Sequence, residues 1–261
     1  MTVVKINNKY YPFPTKWNEL SQRQLLDLMD ILFIKKAFDE VSLLKMIKVL
    51  CNMSYIQFSK VNVEEVSEYF YLLEGFLKTK NELTENKFPQ YEGLCGPADN
   101  LDNLIMEEFV FSEEFYMHWR EHDDEQSLNN LVAVLYREPK KRYDFERNPD
   151  GDPRTPFNEN IMTFMSRMVI AKWGMTFKLA VATWYEGCRT KLVDNNPEVF
   201  SGGEGDPLKY GLISVIRSVA KNGVLGNFNE VEKKYVNLVM IEINESIQEA
   251  KDAEKKMKTH G

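Results

Sequence analysis

Phe177, Val181, Trp184, Cys188 and Leu192 are separated by four, three, four and four residues, a spacing that lines them along one side of a helix. A stripe that long has to be buried against other elements. The chain supplies them: at 261 residues with 43% hydrophobic and 28% charged content, it is large enough for one sizeable core or two modest ones. Further helical patterns follow the same logic. Ser21, with Gln24 three residues on, reads as a capping box before the stripe Leu25, Leu28, Met29, Leu32 and Phe33. Residues 41–51, 63–77, 103–120, 128–137 and 208–221 read as helices, the last ended by Asn222-Gly223, and another helix resumes near Asn158. Asn229 with Glu232 is expected to cap a final helix over 229–257, whose middle, "YVNLVMIEI", reads as buried on more than one face.

β-structure is confined to two places. "VVKINNKYYPF" predicts a hairpin turned at Asn7-Asn8, and "NPDGDPRTPFN" fits the residue preferences of a type I turn, Pro149 following Asn148 and preceding Gly151. The fold class expected is therefore mainly α, a multi-helix bundle with a short N-terminal β-hairpin and a small β-hairpin arm near residue 150. Residues 78–103, with Pro89, Gly93, Gly96 and Pro97, read as an irregular connector. Its part 81–103 divides an N-terminal unit, 1–80, from a helical unit, 104–261, that carries an arm at 137–157, unless both form one continuous domain.

Composition excludes several function classes. A net charge of −7 argues against a general nucleic-acid binder. Cys51, Cys95 and Cys188 are odd in number and widely spaced, which argues against a disulfide framework or zinc ribbon and fits a reducing compartment. The opening residues lack the apolar run of a signal peptide, and no segment reaches about 18 uncharged apolar residues, so a cytosolic or cytosol-assembled protein without a membrane span is expected.

Candidate chemistry is sparse. Setting Gly151 at the sixth position of a calcium loop places Glu146, Asn148 and Asp150 at ligand positions, but the twelfth falls on Phe157, which cannot bind the ion. "HWREH" offers His118 and His122 one helical turn apart with Glu121 as a base, the inverted zinc-peptidase pattern, with Glu186 or Glu198 as a further carboxylate. A surface helix end explains the same residues. Cys188 lies on the apolar stripe and reads as a small hydrophobe, and Arg189 reads as half of a structural ion pair. No catalytic residue, cofactor or metal is assigned. The basic-aromatic run is the stronger feature: Arg137, Lys140, Lys141, Arg142, Tyr143, Phe145 and Arg147, with Tyr136 and with Arg154 across the turn, suit an acidic protein surface or, alternatively, single-stranded nucleic acid.

"YPFPTKWNELSQRQLLDLMDIL", "LVAVLYREPKKRYDF", "NPDGDPRTPFN" and "WYEGCRTKLV…NPEVF" resemble landmarks in proteins encoded by bacteriophages and prophages of gut Bacteroidetes. The ending, "NGVLGNFNEVEKKYVNLVM" and a charged tail, is similar to that of small tail-morphogenesis or tail-assembly-chaperone proteins. The resemblance implies a non-enzymatic virion or morphogenesis protein, at the tail or connector or as an assembly chaperone. Such a protein would oligomerise, contact other phage structural proteins, and occupy the virion or the host bacterial cytoplasm. It transfers no binding residue.

Overall fold

The computed structural model describes residues 2–34, 39–144, 151–200 and 212–259, with backbone alone at 214, 254 and 257–259. β1 (Thr2–Ile6) and β2 (Lys9–Phe13) pair antiparallel from Thr2↔Phe13 to Ile6↔Lys9. Asn7 and Asn8 turn the chain with φ of 50° and 60°, the left-handed pair a two-residue hairpin turn requires. Val4, Ile6 and Phe13 face the core. Tyr69 donates its hydroxyl to the Lys5 carbonyl (2.9 Å) and accepts from the Lys5 N–H (3.3 Å), which covers part of the β1 edge.

The reciprocal cap at Ser21 forms: Ser21 Oγ accepts from the Gln24 N–H and Gln24 Oε1 from the Ser21 N–H. It opens α1 (Gln22–Met29), which runs on into a π-helical turn, Asp30–Ile34. α2 (Glu40–Leu50) is capped by Asp39, which accepts from the Ser42 N–H at 2.8 Å. Residues 63–77 are not the single helix expected. They break into Val63–Ser67, a 3-10 turn Phe70–Leu73, and Glu74–Leu77. A 3-10 turn advances about 120° per residue against about 100° for an α-helix. Each of the three pieces buries one apolar residue in the core, Val66, Leu73 and Phe76 in turn.

The connector is packed rather than a hinge. Its only strands among the described residues are β3 (Gln90–Tyr91) and β4 (Leu94–Cys95). Tyr91 stacks on Phe177 at 3.6 Å, with Phe88, Tyr136 and Trp173 edge-on around the pair. Such aromatic pairs add about 0.5–1.5 kcal/mol each beyond area burial. The core consequently runs as one cluster from Val4 to Met240, across the connector.

Beyond it come α3 (Met106–His122), α4 (Glu125–Leu135), α5 (Glu159–Met168), α6 (Met175–Asn195), α7 (Leu212–Asn222) and α8 (Val236–Thr259). α6 carries the stripe, all five residues buried, and every residue from Phe177 to Tyr185 is buried besides. It packs against α1 and α4 at the centre of the molecule. Gly187 is required there, because a Cβ would overlap the Leu83 backbone of the connector.

The last helix begins at Val236, not 229. The capping box is Asn227 with Glu230 and serves only the turn Phe228–Val231. Residues 232–236 then pair with the entry to α3: the Met106 and Glu107 N–H groups donate to the Lys234 and Glu232 carbonyls, and Val236 N–H to Leu104, each at 2.9 Å. Those carbonyls satisfy first-turn amides of α3, which has no side-chain cap. α8 is also less enclosed than its apolar middle suggested, with Val236, Val239 and Met240 buried but Leu238 and Ile241 exposed. No helix among the described residues is long and apolar enough to cross a membrane.

Candidate interaction surface

α4 ends where Tyr136 turns extended (φ −104°, ψ 117°). From there the chain forms an antiparallel ribbon on the edge of β4. Arg137 and Cys95 exchange N–H···O bonds of 2.8 and 3.0 Å, Lys140 N–H donates to Pro153 (2.7 Å), and Thr155 N–H to Glu138 (2.8 Å). The expected hairpin arm thus appears at its base, among the described residues, as paired backbone with the bridge Pro139↔Arg154. Its tip, with Phe145, Arg147 and the calcium-loop positions Glu146, Asn148 and Asp150, lies outside the described residues.

Two residues expected to contact a partner instead lock this base. Arg154 is wholly buried and Arg137 is 8% exposed. Arg154 Nε donates to Asp152 Oδ1 (2.8 Å), and its terminal nitrogens reach the Leu135 carbonyl (3.0 Å), the Asn103 carbonyl (3.1 Å) and Glu108 Oε2 (3.0 Å). Arg137 pairs with Glu108 Oε1 at 2.7 Å and donates to the carbonyls of Thr155 (2.7 Å) and Val134 (2.9 Å). Burial and the neighbouring Arg154 lower the Arg137 pKa. Burial also penalises the Arg154 cation, yet Glu108 and Asp152 outweigh it and leave that pKa raised. Two buried cations, the buried Glu108 and the half-buried Asp152 therefore close a set fixing the ribbon to α3. One sequence signal pointed here: Glu108 sits four and eight residues before Ser112 and Tyr116, on the buried face of α3.

The run's exposed remainder is shorter than expected. Lys141 and Arg142 are exposed, while Lys140 and Tyr143 are half-buried, with Lys140 Nζ 5.4 Å from the Tyr143 ring centroid. Tyr136 is buried with its hydroxyl on the Phe88 carbonyl (2.7 Å), so it offers no face for a base to stack on.

Beside the ribbon lies a surface that sequence reasoning missed. Asn158 caps α5 by accepting from the Ile161 N–H (3.0 Å). Met162 and Ser166 then face inward, but Ile161, Phe164 and Met168 are 61%, 60% and 52% exposed. Their spacing of three and four residues puts these three on one outward face. A groove of about 340 Å³ separates this face from the ribbon, walled by Pro156, Phe164 and Met165 on one side and Arg137 and Glu138 on the other. The spacing of Ile161, Phe164, Met165 and Met168 is the same signal as a core stripe, so only the structure reveals that part of it is uncovered.

The "HWREH" histidines do share a helix face, their rings 4.5 Å apart. Their partners belong to the α3–α4 joint. Asp123 turns left-handed (φ 53°), Asp124 caps α4 by accepting from the Ser127 N–H (2.8 Å), and Ser127 Oγ lies 2.8 Å from His118 Nδ1. His122 Nε2 lies 3.7 Å from Glu121. Glu186 accepts from the Tyr116 hydroxyl (2.8 Å), and Glu198 pairs with Lys251 (2.6 Å). Among the described residues no three His, Cys, Asp or Glu side chains are placed to hold a metal. Burial raises the pKa of the Cys188 thiol and pushes that of Cys51 up to about 12, which disfavours the reactive thiolate. Arg189 forms a structural pair, Nε lying 2.8 Å from both Glu113 oxygens.

A larger cleft, about 680 Å³, opens between Trp17, Phe33 and Phe76 on one side and Asn81, Arg120 and Glu186 on the other. Asn81 Nδ2 there donates to Thr183 O (2.6 Å) and Glu186 (3.2 Å), and Lys80 pairs with Asp194 (2.8 Å), while the buried Trp17 Nε1 has no hydrogen-bond partner among the described residues. Comparison of the chain with protein-family models, curated proteins and solved structures returns no match.

Proposed function

We propose that this chain is a non-enzymatic bacteriophage virion or morphogenesis protein that works through protein–protein contacts, either within the particle or as an assembly chaperone in the host cytoplasm. The observation that carries the contact part is the uncovered face of α5. Ile161, Phe164 and Met168 stand more than half exposed on a well-capped helix, flanked by a ribbon held in place by the buried Glu108, Arg137 and Arg154 together with the half-buried Asp152. A rigid apolar face loses little entropy on docking, and exposed apolar patches with polar rims mark interaction sites. The phage assignment is supported by the resemblance of the spaced proline, aromatic and arginine landmarks. Protein mass spectrometry of purified particles and of assembly intermediates tests it. The chain is expected in one or both fractions, bound to other structural proteins, and its absence from both overturns the reading.

A further inference from the structure

We infer that the cleft between Trp17 and α6 binds a small apolar carboxylic acid that carries a second hydrogen-bond acceptor, the chemistry of an N-acylated apolar amino acid. The inference goes beyond the assembly reading and uses none of its residues. At about 680 Å³ the cleft has the volume of a ligand site. Its apolar wall comes from separate elements. Trp17 and Phe76 meet edge-on at 5.3 Å, and the π-helical turn after α1 adds Leu32 and Phe33. Thr183, Glu186 and Thr190, three and four residues apart, bring one face of α6 to the cleft, and α3 brings Arg120.

The polar groups decide what can enter. The charged and amide side-chain acceptors of the lining are engaged. Each Glu186 oxygen already accepts a bond, from Tyr116 (2.8 Å) and from Asn81 (3.2 Å), and Asn81 Oδ1 accepts from the Leu83 N–H (2.9 Å). Lys80 is held by Asp194, and the Thr79 hydroxyl donates to the Gly75 carbonyl (2.7 Å). Two donors are unspent. Trp17 is buried with its Nε1 unpartnered, and the exposed Arg120 guanidinium makes no hydrogen bond among the described residues. Glu186 stays 3.9 Å from Arg120, beyond hydrogen-bonding distance. A buried donor without an acceptor is costly, so Trp17 marks the place of a ligand carbonyl. A free guanidinium fork matches a carboxylate with two parallel bonds. An apolar body between these two groups would cover the Trp17–Phe76 wall. An amine in its place would meet acceptors that are already engaged.

Titration of the full chain, isotope-labelled at its tryptophan nitrogens and followed by NMR, tests this. The Trp17 indole N–H signal is assigned by its loss in Trp17→Phe, or sequentially should that variant not fold. N-acetyl-phenylalanine and N-acetyl-leucine are expected to shift that signal saturably, with a Kd of about 1 mM or tighter. Removing the carboxylate, as in N-acetyl-phenylalanine amide, should weaken binding roughly ten-fold or more, and so should Arg120→Gln. Because Arg120 is exposed, Arg120→Gln is expected to keep the parent's melting temperature. Phenylpropionate, which has the ring and the carboxylate but no second acceptor, should bind more weakly than N-acetyl-phenylalanine. A Trp17 signal that no acid moves, equal binding of acid and amide, or binding indifferent to Arg120→Gln overturns the inference. A peptide ending in phenylalanine separates two sources of the same chemistry. Binding as tight as that of N-acetyl-phenylalanine assigns the cleft to a chain end, and exclusion of the peptide assigns it to a free acid; either upholds the shared chemistry.

Discussion

Arg154 shows how far a single residue can depart from its local pattern. In "PDGDPRTPF" it reads as an exposed turn cation, yet it is fully buried between Asp152 and Glu108. Removing it leaves the buried Glu108 and the half-buried Asp152 with Arg137 alone, so Arg154→Met is expected to destabilise the chain by about 3–5 kcal/mol, measured by denaturant unfolding. Arg154→Lys should not rescue it, because an ammonium cannot replace the forked donors. Glu107 gives a pH-dependent counterpart. Burial, then repulsion from Glu232 and Glu108, raises its pKa. The folded chain thus holds this proton more tightly than the unfolded chain. The group contributes stability below the ordinary glutamate value, and the contribution is lost as pH rises through the raised one. Glu107→Gln is accordingly expected to raise the unfolding midpoint near about pH 7, with the gain vanishing near about pH 4. A gain that persists at the lower pH contradicts the assignment.

Elements whose signals are local were legible in the sequence. The Asn7-Asn8 turn, the Ser21–Gln24 cap and the α6 stripe need only neighbours or helical spacing, and all three appear. What was not legible depends on distant backbone. The true start of α8 follows from residues 232–236 pairing with 104–107, which no local cap reports. The packed connector follows from Leu83 lying against Gly187, a contact between residues far apart in sequence. Gly187→Ala should therefore cost about 1–3 kcal/mol through overpacking, although alanine is the better helix former. An unchanged or higher melting temperature for that variant would show that the connector yields. On α5 the sequence gives the period of the stripe but not which members are covered. Since Phe164 is 60% exposed, Phe164→Ser should leave stability within about 0.5 kcal/mol.

For the molecule as a whole, the single core and the charge set restrict how the arm can be probed. Deleting 140–156 to remove the arm would also remove Asp152 and Arg154, so a loss of assembly would report unfolding rather than a lost contact. Surface substitutions on α5 avoid this difficulty, because they leave the inward residues Met162 and Ser166 in place. The most direct measurement is the yield of infectious particles from a genome encoding Ile161→Ser, Phe164→Ser and Met168→Ser together, with the purified variant shown to keep the parent's melting temperature. The account predicts a folded chain and a yield reduced by roughly ten-fold or more, as expected when the central anchors of an interface are lost. A folded variant that builds particles at the parental yield would contradict it.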